Sequence, residues 1–372
     1  MDDFEPIWSL GCMSGTSMDG VDAAMLLTNG ERICAFGNHS YRPYSAEEIE
    51  AIAAAQGLWQ GDQPDILLKA EETVRLAHLE VISSYSGVEV IGFHGQTVAH
   101  APRRGKTHQI GDGKRLADEA GNVVVWDFRT RDMACGGEGA PLASVFHFAC
   151  AKWIGETRPV VFLNLGGVAN LTYVDPLAPE PETHGALVAF DTGPANALID
   201  DLVARRRNWG FDRDGDLAAT GKCDLAVVEE VLSRPYFARQ PPKSLDRNEF
   251  SDVLKSVDSL PDSDAAATLT ALSAAAVAHA EKFLPAPPGR WLVAGGGSRN
   301  RTLMSELGSR LSAPVSSVED AGLDSDMLEA QAFAFLAVRS MRNLVLSLPS
   351  TTGCSVPTTG GRIDRPCRDP SG

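Results

Sequence analysis

Short apolar runs alternate with polar, glycine-rich turns along most of this 372-residue chain. Residues 7–13 and 21–27 are apolar stretches on either side of Ser14-Gly15-Thr16-Ser17-Met18-Asp19-Gly20, which predicts two strands joined as a hairpin with Asp-Gly at its tip. Residues 159–163 and 171–174 repeat that plan around Asn164-Leu165-Gly166-Gly167-Val168-Ala169-Asn170. Residues 46–57 and 64–84 read as helices, the second with Ile66, Leu67, Val74, Leu76, Leu79 and Ile82 at helical spacing. Further strands are predicted at 88–93, 123–126, 187–190 and 290–294, and further helices at 143–153, 195–205, 265–283, 300–311 and 326–342. The last helix is apolar at Leu328, Ala332, Phe335 and Leu336, with Glu329 near its start, where the helix dipole favours an acid. Strands alternating with helices predict an α/β chain. Residues 347–372, rich in Pro, Gly and Thr, read as a surface coil frayed at its end.

The chemistry concentrates where the strand at 123–126 stops, in Asp127-Phe128-Arg129-Thr130-Arg131-Asp132 and the glycine run Gly136-Gly137-Glu138-Gly139. In open α/β sheets, ligands lie beyond the carboxyl ends of strands, which would carry Asp127, Arg129, Arg131 and Asp132 into a cleft. Bare backbone at the glycines would then approach a ligand closely. The competing reading is a loop of exposed ion pairs, which are common and weak.

The same two-way reading applies elsewhere. The 14–20 hairpin tip is either a plain turn or a cradle for phosphate and hydrated magnesium. His94, Gln96, Thr97 and Gln109 either hydrogen-bond a sugar or satisfy local partners. Asp191, in Asp191-Thr192-Gly193-Pro194, either holds magnesium or caps the helix that follows. The strand at 290–294 runs into Gly295-Gly296-Gly297-Ser298-Arg299-Asn300, where a nucleotide ring or phosphate can lie on backbone. That run is not G-x-G-x-x-G, because Asn300 stands where the last glycine belongs, and no Walker A motif occurs.

Composition narrows the partners. The length suggests two domains, and a net charge of −16 argues against nucleic acid or an anionic membrane surface. Seven scattered cysteines without a C-x-x-C pair suggest neither disulfides nor zinc, so reducing cytoplasm is expected. The acidic N-terminus lacks the basic start of a secretory signal. Residues 265–280 are interrupted by Thr268, Thr270, Ser273 and His279, which makes them a buried helix and not a membrane span. Asp212 to Asp216 lacks the distal Glu of a calcium loop, and Gly11-Cys12-Met13-Ser14-Gly15 is not the G-x-S-x-G of a serine hydrolase.

Taken in order, Gly15 to Asp22, His94-Gly95-Gln96-Thr97, Asp127 to Leu142, Asn164 to Asn170, Asp191-Thr192-Gly193-Pro194, Gly295 to Asn300 and Glu329-Ala330 resemble the anhydro-N-acetylmuramic acid kinases. That family lies in the sugar kinase, Hsc70 and actin superfamily. The resemblance implies two ribonuclease-H-like lobes with ATP and Mg²⁺ in an interlobe cleft. The first lobe is expected at 1–130 with 327–346, the second at 131–326, and coil at 347–372. It implies ring opening of 1,6-anhydro-N-acetylmuramic acid by water, with phosphorylation of O6 by ATP, a step in peptidoglycan recycling. A homodimer is also suggested.

Residue by residue, the resemblance assigns the ATP phosphates to Gly15, Thr16, Ser17, Met18, Asp19, Gly20, Val21 and Asp22. It gives further nucleotide contacts to Asn164, Gly166, Gly167, Asn170, Gly295, Gly296, Gly297 and Asn300. Magnesium falls to Asp19 and Asp191, and the sugar to His94, Gln96, Thr97, Arg129, Glu138 and Asp191. Asp132 becomes the base. An inverting glycosidase needs one carboxylate to activate water and a second acid to protonate the leaving oxygen. If the γ-phosphoryl group captures O6, one carboxylate suffices. Glu138 stands where the family often has Gln, Ala195 where Gly is commoner, and Lys243-Ser244-Leu245-Asp246-Arg247 matches the family's Lys-Ser-Thr-Gly-Arg loosely. Two rival functions are an ordinary sugar-hydroxyl kinase, in which Asp132 deprotonates a hydroxyl directly, and an actin-type assembly ATPase. The second polar stretch at 127–139 disfavours the assembly ATPase.

Overall fold

A computed structural model describes residues 5–15 and 17–367, so Thr16 lies outside the described residues. The chain forms two compact units, one running up to Trp153 and resuming at Asp326, the other Ile154–Ser325. The expected boundary at 130 therefore falls inside the first unit, and the segment beyond 346 belongs to that unit as well.

In the first unit, β1 (Ile7–Ser14), β2 (Gly20–Thr28) and β3 (Ile33–Pro43) form an antiparallel meander. Helices α1 (Ala46–Ala54) and α2 (Pro64–Ile82) follow, and then β4 (Val90–Ala101) lies parallel to β1. β5 (Lys106–Ile110) folds back on β4, α3 (Gly113–Ala120) crosses over, and β6 (Val123–Trp126) lies parallel to β4. α4 (Thr130–Ala134) and α5 (Ser144–Trp153) complete the first passage of the chain through this unit.

Side-chain caps help fix the helix starts. Ser45 and Glu48 form a reciprocal capping box on α1, and the Asp112 carboxylate takes the Arg115 N–H on α3. Leu10, Ile52, Val74, Ile91, Phe93 and Leu116 belong to the core that packs with α1 to α3.

Two findings depart from the sequence reading. β3 was not anticipated, because it is a half-exposed strand at the end of the sheet, without a clean apolar alternation. β4 does not end at residue 93. It runs on through His94-Gly95-Gln96-Thr97 to Ala101, since β5 pairs with residues 96–101 and meets their backbone groups.

The second unit repeats the plan. β7 (Val160–Leu165), β8 (Val168–Val174) and β9 (Leu187–Pro194) form a meander. The helical segment comprises α6 (Asn196–Arg207), α7 (Asp216–Ala219), α8 (Leu225–Leu232), α9 (Pro235–Ala238), α10 (Val253–Ser256) and α11 (Asp262–Ala280). β10 (Arg290–Ala294) then returns parallel to β7, and after α12 (Arg301–Arg310) comes β11 (Val315–Ser317), parallel to β10. In both units the first strand lies centrally, with two antiparallel strands on one side and two parallel crossover strands on the other. That is the ribonuclease-H-like arrangement.

The chain then re-enters the first unit as α13 (Leu328–Met341), and β12 (Arg362–Asp364) pairs with β6. α13 rests directly on sheet backbone. Gly11 and Gly92 are register partners on β1 and β4. A Cβ on Gly11 would stand 1.8 Å from the Ala330 carbonyl oxygen, and one on Gly92 would stand 2.1 Å from that of Phe333. No helix among the described residues is long and apolar enough to cross a membrane.

Candidate active site

Asp132 sits on α4 and is 2% exposed. A buried carboxylate is costly unless its lone pairs are met. Here Oδ1 accepts from the Ser347 and Thr352 hydroxyls, the latter at 2.6 Å, and Oδ2 accepts from the Gly139 N–H at 2.7 Å. A Cβ on Gly137 would stand 2.2 Å from Oδ2, so the carboxylate occupies the space that glycine leaves.

Gly139 also joins Asp132 to Arg129. Its carbonyl accepts from Arg129 Nη1 at 2.6 Å, while Arg129 Nη2 donates to His94 Nε2 at 2.9 Å. The other ring nitrogen, Nδ1, donates to the Gly95 carbonyl at 2.9 Å, which fixes a neutral tautomer. Burial, and after it the Arg129 charge, pushes His94 well below the usual imidazole range. Burial also lowers Arg129, against the opposing pull of Glu329 and Asp132. Glu329 still reaches solvent, yet its position deep among protein atoms raises its pKa, and Arg129 offsets part of that rise. The Phe333 ring packs 4.5 Å from the His94 ring.

The other sugar candidates are placed differently. Gln96 is fully buried, and its amide donates to the Gly15 and Thr97 carbonyls while its oxygen accepts from Ser14. It therefore braces the β1–β2 hairpin. The Thr97 hydroxyl accepts from Gln109 at 3.2 Å. Glu138 is half-buried, and its N–H donates to the Thr352 carbonyl. A cavity of about 800 Å³ opens at the end of β6 and beside β4, with His94, Gln109, Trp126, Asp127 and Thr130 among its walls. That volume lies in the range of small-molecule sites.

Of the hairpin residues, Gly15 accepts the Met18 N–H to close the turn, and the exposed Asp19 takes the Ser17 hydroxyl on Oδ1 at 2.6 Å. Gly20 is buried, the Val21 side chain is in the core and Asp22 is half-buried opposite Met13.

In the second unit, Asn164, Asn170 and Asp191 lie in cross-strand register on β7, β8 and β9. A Cβ on Gly295 would stand 2.4 Å from Asn164 Oδ1, which brings the triple-glycine turn onto that polar row. Asp191 does not cap α6. Its Oδ2 accepts from the Leu245 N–H at 2.8 Å, holding the 243–245 loop. The Asn300 carboxamide caps α12 through the Leu303 N–H. Gly166 and Gly167 accept N–H groups from Asn196, Ala195 and Ala197, while Gly296 is exposed, Gly297 is buried, and Gly297 packs on Leu165. Lys243 is 3% exposed, donates to the Tyr236 carbonyl and lies over the Tyr236 and Phe283 rings.

Sequence reasoning missed Ser347, Thr352 and Phe333. The two hydroxyls sit in a segment with no periodicity, and only their contact with a residue more than 200 positions earlier marks them.

Two ribonuclease-H-like units, each with a glycine hairpin beside its central strand, define an α/β fold of the sugar kinase and actin-like ATPase class. Within that class the match is specific. The family model for anhydro-N-acetylmuramic acid kinase matches residues 8–365. An anhydro-N-acetylmuramic acid kinase from Roseobacter denitrificans is 55% identical over 97% of this chain and 95% of its own. One from Nitrobacter winogradskyi is 44% identical over 96% and 99%. Among solved structures, an activator of 2-hydroxyisocaproyl-CoA dehydratase from Clostridium difficile with bound ADPNP aligns over 91% of this chain and 96% of its own, at 13% identity and a TM-score of 0.42. The chain belongs to the anhydro-N-acetylmuramic acid kinase family.

Proposed function

We propose that this chain converts 1,6-anhydro-N-acetylmuramic acid, ATP and water to N-acetylmuramic acid 6-phosphate and ADP. The observation that carries the reading is the family match over residues 8–365, which contains every motif singled out in the sequence. In this reading Asp132 takes a proton from the water that attacks C1. The C1–O6 bond breaks, and O6 receives the γ-phosphoryl group as ADP leaves. Arg129, anchored by His94 and Gly139, supplies positive charge beside that carboxylate.

The hairpin at Gly15 to Asp22 and the glycines at 166–167 and 295–297 offer backbone to the nucleotide. Magnesium is commonly held by one or two carboxylates together with substrate phosphates. Exposed Asp19 fits that role, and no cluster of three acidic, His or Cys ligands occurs among the described residues. Mg²⁺ there would neutralise phosphate charge. All seven cysteines are free, which suits a reducing cytoplasm.

The test is reaction in ¹⁸O-water with mass analysis of the sugar. Label at C1 of a 6-phosphorylated product is expected. Phosphorylation without label would make this an ordinary hydroxyl kinase, and absence of sugar-dependent ADP would remove the reading. Sedimentation of the same preparation tests the homodimer.

A further inference from the structure

Asp191 stands on β9, the end strand of the second sheet, where the β8–β9 register shifts between Ala169 and Asn170. A bulge of that kind re-aims a side chain and disrupts the ladder that would fix it. Here Asp191 is held from outside the sheet, by the segment that runs from α9 to residue 245. Its N–H donates to the Lys243 carbonyl at 2.9 Å, and its carbonyl accepts from the Tyr236 hydroxyl at 2.7 Å. Its Oδ2 accepts from the Leu245 N–H at 2.8 Å. We propose that Lys243 and Tyr236 are positioning residues that set the Asp191 carboxylate for the reaction. The inference rests on the reading that Asp191 touches the sugar.

Lys243 anchors the clamp. Its backbone carbonyl meets Asp191 directly, and two residues further on Leu245 meets the carboxylate. Its ammonium group donates to the Tyr236 carbonyl at 3.2 Å. It also lies 4.6 Å from the centre of the Tyr236 ring, 4.9 Å from that of Phe283 and 5.8 Å from that of Phe190. Phe190 is the residue before Asp191 on β9, and Phe283 packs edge-on against it. One side chain thus ties the loop both to the strand beside the carboxylate and to the helix that supplies the Tyr236 hydroxyl.

Stability alone does not call for a lysine in this place. A buried ammonium group is costly even where rings and a carbonyl meet it, and an apolar side chain of similar length could fill the same space. What the lysine adds is direction, because a hydrogen bond fixes geometry where a flexible apolar chain adapts to its surroundings. Asp191 is half-buried while Lys243 and Tyr236 are enclosed, so the groups that hold it lie on its interior side.

The experiment compares steady-state kinetics of the full chain with Lys243→Met, Tyr236→Phe and Asp191→Asn, using ATP, Mg²⁺ and 1,6-anhydro-N-acetylmuramic acid. Melting is followed by circular dichroism. A small misplacement of a reacting group is expensive, so Lys243→Met and Tyr236→Phe should each lower kcat by about 10-fold or more. KM for ATP should stay within about two-fold, and Lys243→Met should melt no lower than the parent. A lysine that served only the fold would, on replacement, move the melting temperature and leave the kcat of the folded enzyme alone.

Unchanged kcat in both clamp variants beside an inactive Asp191→Asn overturns the inference and leaves the role of Asp191 intact. Full activity in Asp191→Asn overturns that role and the inference with it. If Lys243→Met does not fold, Tyr236→Phe carries the same expectation, since it keeps the ring and removes only the hydroxyl. Unchanged kcat in that variant then overturns the inference.

Discussion

Arg129 donates from Nη2 to His94 Nε2 at 2.9 Å, so the histidine meets the guanidinium as a neutral acceptor. A protonated His94 would point an N–H at a cation, which agrees with its strongly lowered pKa. Nitrogen-15 spectra should therefore show no His94 titration between about pH 5 and pH 8. Arg129→Lys cannot span His94 and Gly139 together, and should lower kcat by about 10-fold or more. Activity close to that of the parent would mean that the fork is dispensable.

Gly137→Ala places a methyl group within 2.2 Å of Asp132 Oδ2. The carboxylate must move, and its bonds to Gly139 and Thr352 cannot both survive. The expected outcome is a loss of kcat as large as that of Asp132→Asn in a folded protein. A Gly137→Ala enzyme that turns over normally would show that the observed carboxylate position is not the working one.

The seat of α13 on the sheet is open to a direct stability test. Gly11→Ala and Gly92→Ala each drive a methyl group into an α13 carbonyl at about 2 Å. Each should destabilise the protein by about 3 kcal/mol or more, the upper part of the range for overpacking. Urea unfolding measures this, and a shift below about 0.5 kcal/mol would contradict the contact.

His78 is fully buried, donates from Nδ1 to the Val74 carbonyl at 2.7 Å, and leaves Nε2 without a partner. Burial lowers its pKa to about 4. The unfolded chain therefore binds a proton that the folded chain refuses. The stability that comes from keeping His78 neutral is complete above about pH 6.5 and is lost as pH falls toward about 4, at about 1.4 kcal/mol per pH unit. Denaturant midpoints of the parent and of His78→Leu, compared from pH 7 to pH 4.5, should diverge by that slope. Parallel curves would refute it.

Lys243 carries the opposite kind of cost. Burial, with Lys282 and Arg239 nearby, lowers its pKa to about 8. The unfolded lysine takes its proton at a higher pH than the folded one, so the cost appears as pH falls from about 10.4 to about 8 and persists at neutrality. Lys243→Met should therefore raise stability at pH 7 by about 2 kcal/mol, seen as a higher melting temperature. A lower one would show that the aromatic faces and the Tyr236 carbonyl more than repay desolvation.

Local pattern determined much of this protein. Apolar runs set against glycine turns placed both hairpins, β1–β2 and β7–β8, and helical spacing placed α2 and α13, because strand and helix periods are properties of neighbouring residues. The ordered motifs were sufficient to indicate the family. Where polar residues continue a strand, as at His94 to Thr97, the pattern stopped short, because the pairing that sustains β4 comes from β5.

Only the tertiary structure decided what surrounds Asp132. Nothing in Ser347-Leu348-Pro349-Ser350-Thr351-Thr352 distinguishes it from surface coil. It becomes interior because the return of α13 across Gly11 and Gly92 carries it back to the first unit. There a buried carboxylate needs donors that its own loop does not supply in full. A hydrogen bond between residues so far apart depends on where the whole chain goes, which no local window of sequence contains.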